Sequence, residues 1–157
     1  MLRFTHVSIP ARDPDVLGRW YRELFGVEEI PAPNFGFVVR WFRIGDLQLH
    51  LYQSREERAP MQHFGLAVDD IAATYAKAEA MGAFDRRREH HLYVTPAGEV
   101  QLYLRDPDGN ALEVNWPDAG TLPEALRALA IRREDQFAQS SRNREATLFT
   151  GGSTARS

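Results

Sequence analysis

Hydrophobic and polar positions along this chain follow one pattern twice. His6-Val7-Ser8-Ile9-Pro10-Ala11-Arg12-Asp13 returns 57 residues later as His63-Phe64-Gly65-Leu66-Ala67-Val68-Asp69-Asp70. Each copy opens on histidine, alternates apolar positions as a strand does, and closes on an acid. Two copies at so long a period describe a duplicated half-domain, not a solenoid. After each acid the apolar spacing changes from period two to period 3.6. Asp13 fits a helix N-cap, Pro14 the first helical position and Gly26 the residue past the end. Between them Val16, Leu17, Trp20, Tyr21, Leu24 and Phe25 form the apolar stripe. In the second copy Asp70 caps, Ile71, Tyr75, Ala78 and Met81 form the stripe, and Gly82 ends it.

Strand patterns follow both helices. Residues 35–43 and 47–52 flank the turn Ile44-Gly45-Asp46 in the first half. In the second half residues 88–95 and 99–104 flank Pro96-Ala97-Gly98, and Asp106-Pro107-Asp108-Gly109 reads as a hairpin into residues 111–116. Each half therefore reads β-α-β-β-β, which makes the fold class α+β. The expected boundaries are a first module over 1–53, a polar linker over 54–61 and a second module over 62–117. A helix is expected over 118–138, opened by the capping box Thr121-x-x-Glu124 with Pro123 inside it and carrying Leu126, Leu129 and Phe137. Residues 139–157 read as a polar, frayed tail.

Composition narrows the chemistry. A chain of 157 residues suffices for one self-supporting domain without a disulfide or structural metal. With no cysteine, disulfide scaffolds, CxxC redox sites, zinc ribbons and cysteine nucleophiles are excluded. A net charge of −3 argues against a nucleic-acid footprint. No apolar stretch approaches the ~20 residues that span a bilayer. Residues 1–6 carry no apolar segment of the kind that directs secretion, so a cytoplasmic location is expected. Eighteen of the 19 basic residues are arginine, with Lys77 the exception, which fits codon usage; Arg86-Arg87-Arg88 reads as a solvated segment.

Alternation splits each strand into two rows. Val7 and Ile9, Leu47, Leu49 and Leu51, Phe64, Leu66 and Val68, and Leu112, Val114 and Trp116 are the apolar rows, which must pack beneath the helices. The opposite rows carry His6, His50, His63 and Glu113, on the first and last strands of the two halves. A lone histidine on a strand is usually structural, but four ligand-type residues at related positions on one face point to a metal site. Two imidazoles and a carboxylate suit non-haem iron, and three with a glutamate suit one divalent Fe, Ni, Co, Mn or Zn ion. An open coordination position would make that ion a Lewis acid. His90 and His91 are adjacent and point to opposite faces, so only one could reach that face; both read as structural or as supports behind the ligands.

These residues resemble the vicinal oxygen chelate superfamily, which includes glyoxalase I, extradiol dioxygenases and the fosfomycin- and bleomycin-resistance proteins. The resemblance covers residues 4–116. His6 is similar to the family's first-strand ligand, His63 to its partner in the second module, and Asp106-Pro107-Asp108-Gly109-Asn110-Ala111-Leu112-Glu113 to its DPDGxxxE hairpin. The resemblance implies two βαβββ modules curled into a cup-shaped, partly open mixed β-barrel around a divalent metal, in a homodimer, acting on a small molecule. It also implies a glyoxalase-like lyase or isomerase in which Glu113 serves as base as well as ligand. Glyoxalase I commonly carries a carboxylate where this chain has His50. In the extradiol alternative His6, His63 and Glu113 would hold Fe(II), His50 would be an acid/base, and Tyr103, on the row of Gln101 and Arg105, would face the substrate. The third alternative is a metal-free antibiotic-binding or resistance protein, whose members usually lack the ligand set.

Overall fold

A computed structural model describes residues 6–55 and 62–148. Most of the expected linker (56–61) and the end of the expected tail (149–157) lie outside the described residues. The chain divides into two compact units, residues 1–62 with 105–110, and residues 63–104 with 111–157.

The first unit contains β1 (His6–Ala11), α1 (Pro14–Phe25), β2 (Glu28–Ile30), β3 (Val39–Ile44) and β4 (Leu47–Gln53). Its sheet runs β1-β4-β3-β2, with β1 parallel to β4 and the other pairs antiparallel. Helix α1 starts and stops where its sequence signals stand. The Asp13 carboxylate accepts from the amides of Asp15 and Val16, and Gly26, at φ 68°, donates its amide to the Arg22 carbonyl. The helix buries Leu17, Tyr21 and Leu24 on the sheet face that carries Phe42, Leu49 and Leu51. Contact is closest at Gly18, where a Cβ would lie 2.7 Å from Cζ of Phe42. A Gly18→Ala substitution is therefore expected to destabilise the protein by about 1–2 kcal/mol in urea unfolding, the overpacking cost exceeding the gain in helix propensity. An unchanged midpoint would mean that the Phe42 ring gives way.

Two strand expectations need correction here. The strand expected over 35–43 begins at Val39, because Gly36 turns at φ 80° and donates its amide to Asn34 Oδ1 at 2.8 Å. The first strand after α1, β2, has no clear local signal in the sequence, since Glu28 and Glu29 are poor strand formers. Its register supplies the reason it forms: Glu28 stands opposite Arg43 and accepts from it at 3.1 Å.

The second unit contains β5 (His63–Ala67), α2 (Ile71–Ala80), β6 (Leu92–Val94), β7 (Val100–Arg105) and β8 (Ala111–Trp116), which completes the second βαβββ module. A further strand, β9 (Ile131–Arg132), extends its sheet to the order β5-β8-β7-β6-β9. The strand expected over 88–95 shrinks to β6, because the backbone turns between Asp85 and Arg88. The expected helix over 118–138 is broken into a 3-10 turn at Ala119–Thr121, α3 (Glu124–Leu129), β9 and α4 (Arg133–Gln136). Thr121 does not form the capping box; its hydroxyl donates to the Asp118 carbonyl and accepts from Trp116 Nε1. Past Leu129 the chain extends, and Ile131 and Arg132 pair with Tyr93 and Val94, so sheet pairing replaces helix continuation. Leu126 is buried as expected, whereas Leu129 and Phe137 are exposed. Within the expected tail, α5 (Ser141–Arg144) carries a capping box between Ser140 and Asn143.

Candidate active site

In the first unit, strand register fixes which side chains share the face opposite α1. Ser8 pairs with His50, and His50 pairs with Trp41, so one line crosses β1, β4 and β3. The His6 and His50 rings stack with centroids 4.4 Å apart, and His50 stacks on Trp41 at 4.0 Å and 6°. His50 Nε2 bonds Gln48 Oε1 at 2.8 Å, which places the ring hydrogen on Nε2 and a lone pair on Nδ1. Burial, then the neighbouring His6, lowers the His50 pKa, so its neutral, ligand-competent form is favoured. Beyond Trp41 a cavity of about 820 Å³ opens, lined by Phe37, Trp41, Arg40 and Gln53 among others.

In the second unit the interior strand β8 is buried on both faces, and it carries Glu113 at 5% exposure. A buried carboxylate requires hydrogen-bond donors. Gln101 Nε2 and Asn115 Nδ2 both donate to Oε1, at 3.1 and 2.6 Å. The other oxygen, Oε2, stands 3.5 Å from His63 Nε2. Gly65, paired with Glu113 across the parallel ladder, leaves room for this arrangement, since a Cβ there would meet Asn115 Oδ1 at 2.9 Å. The Tyr103 ring meets His63 edge-on at 6.2 Å. Burial first, and Glu113 second, push the Tyr103 hydroxyl up to about 12, so it remains a proton donor at neutral pH.

The proposed ligands thus stand as two pairs, His6 with His50 in one unit and His63 with Glu113 in the other. Among the described residues no three His, Asp or Glu side chains cluster closely enough to hold a metal ion. The donor types nevertheless fit a divalent ion. One Glu113 oxygen is held by two amides and His50 is held by Gln48, which is how ligating side chains are oriented by their neighbours. His91 is structural, stacked on Phe84 at 4.0 Å with Nε2 3.1 Å from the Tyr75 hydroxyl. Alternation puts Asn115 on the row of Glu113 and Gln101 on that of Tyr103, but residue type alone assigns neither a role. Their signal was position, two residues from Glu113 on its strand and on the facing row. Gln48 carries the same signal beside His50.

Comparison with known proteins gives this arrangement a lineage. The family model of the Glyoxalase/Bleomycin resistance protein/Dioxygenase superfamily matches residues 3–114. The uncharacterized protein YwbC of Bacillus subtilis (strain 168) is 28% identical over 121 residues, 71% of this chain and 94% of the relative. The crystal structure of lactoylglutathione lyase from Agrobacterium tumefaciens is 27% identical with a TM-score of 0.56, covering 72% of this chain and 92% of that one. The fosfomycin resistance protein FosX from Listeria monocytogenes shares the fold, with a TM-score of 0.57 at 18% identity over 73% of this chain and 90% of that one. No helix among the described residues is long and apolar enough to cross a membrane. With most of its length matched and its two βαβββ modules in place, the chain belongs to the glyoxalase/bleomycin resistance protein/dioxygenase superfamily.

Proposed function

We propose that the protein is a metal-dependent, glyoxalase-like lyase or isomerase acting on a small vicinally oxygenated substrate. The observation that carries this reading is Glu113: a buried carboxylate, one oxygen fixed by two amides, the other directed to His63. His6, His50, His63 and Glu113 would hold one divalent ion, Fe, Ni, Co, Mn or Zn. When bound, such an ion polarises adjacent substrate oxygens and stabilises negative charge on them. Glu113 Oε2 would take a proton from carbon, Oε1 being committed to Gln101 and Asn115. Tyr103, protonated at neutral pH, would serve as a proton donor near that carboxylate. Trp41 supplies an apolar face against His50, and Phe37 lines the neighbouring cavity with it. A homodimer and a cytoplasmic location belong to the same reading.

Substituting His50 with alanine tests the ligand assignment. Metal content and turnover should fall together. Full metal retention with reduced turnover would make His50 an acid/base instead. That outcome belongs to the second reading, an Fe(II) extradiol dioxygenase, which the aromatic lining beside His50 favours. A yellow ring-opened product from catechol under Fe(II) would establish it.

A further inference from the structure

The family match ends at residue 114, yet the chain beyond it reaches the Glu113 site. Arg127 anchors the segment by donating to the carbonyls of Gly120 and Leu122, and β9 adds to the sheet beside β6 with Ile131 opposite Tyr93. This pairing sets the first residue of α4, Arg133, over the Tyr93 ring at 3.6 Å. Tyr93 meets Tyr103 edge-on at 5.8 Å, and both Glu113 and Arg133 act on the Tyr103 hydroxyl, Glu113 raising its pKa and Arg133 lowering it.

Charge balance separates Arg133 from its neighbours. Arg88, which lies 3.8 Å over the Tyr103 ring, is paired with buried Asp85 at 3.4 Å. Arg132 is paired with Glu134. Arg133 bonds the neutral Gln136 side chain at 3.2 Å, and among the described residues no carboxylate stands within ion-pair distance of it. A guanidinium has five donors in a planar fork suited to a carboxylate. Tyrosine rings offer it only partial compensation.

Resting on the reading of Glu113 and His63 as the reacting site, we propose that Arg133 binds a carboxylate carried by the substrate. The substrate class is then a vicinally oxygenated monocarboxylic acid, one negative charge answering one unpaired cation. The C-terminal extension supplies specificity that the matched modules lack.

Two probes share a vicinal hydroxyl pair and differ in charge: catechol and 3,4-dihydroxybenzoate. Their binding is measured calorimetrically on metal-free protein and on protein loaded with Zn(II), with metal content read on the same samples. The carboxylated probe should bind about tenfold more tightly to the unsubstituted protein. In Arg133→Gln that preference should shrink to within about twofold, with catechol affinity unchanged. Arg133→Lys, which keeps the charge and loses the fork, should retain part of it. Equal affinities in the unsubstituted protein, no binding of the carboxylated probe, or a preference that survives Arg133→Gln would each overturn the proposal. Failure to load metal with the Arg133-dependent preference intact would instead sink the metal reading and support this assignment.

Discussion

Glu113→Gln should lose bound metal and turnover while keeping its fold. Glutamine preserves volume and can still present an oxygen to Gln101 and Asn115, so the buried cluster around position 113 stays hydrogen-bonded. What disappears is the negative charge and the lone pair that Oε2 directs towards His63. Removing a group that merely orients a ligand costs roughly 10–100-fold in affinity or activity, so removing the ligand itself should cost at least about 100-fold. Elemental analysis, turnover and a thermal melt on one preparation check all three parts. Metal content and turnover within twofold of the parent would show that Glu113 is only a structural acid.

The largest stability effect is expected at Asp106, in the turn that packs with the first unit. Its carboxylate is 4% exposed and accepts from the amides of Asp108 and Asn110, from Asn110 Nδ2 and from the hydroxyl of fully buried Tyr21. Asp106→Ala leaves several of these donors unsatisfied at once, at roughly 1–3 kcal/mol each, so a loss of at least about 3 kcal/mol in urea unfolding is expected. Burial, the largest influence, raises the Asp106 pKa despite the stabilising bonds from Asn110 and Tyr21. A raised carboxyl binds its proton more tightly folded than unfolded. Its contribution is therefore complete below the ordinary carboxylate range and diminishes as pH rises through the folded value. Asp106→Asn should destabilise less than alanine and flatten that dependence. A midpoint unaffected by either substitution would contradict this account.

The modules were readable because their signals are local and strong. Asp13 and Gly26 bracket α1, and alternation put His50 opposite Leu49 and Leu51. Long-range register was not readable in the same way. Only pairing with Arg43 makes a strand of Glu28–Ile30, and only pairing with β6 stops the C-terminal helix at Leu129. The same limit governs the candidate site. His6, His50, His63 and Glu113 follow from residue type and row. The partners that orient them, Gln48, Gln101 and Asn115, become meaningful once the strands are paired. Arg133 had no local signal, because the apolar spacing around it suggested an uninterrupted helix.

Under the proposed function these four side chains hold a metal on which the chemistry depends. Protein purified without a histidine tag and analysed for Fe, Ni, Co, Mn and Zn tests it most directly. Close to one divalent ion per chain is expected, lost when Glu113 or His63 is replaced. Less than about a tenth of an ion per chain, even after reconstitution with each of the five metals, would contradict it.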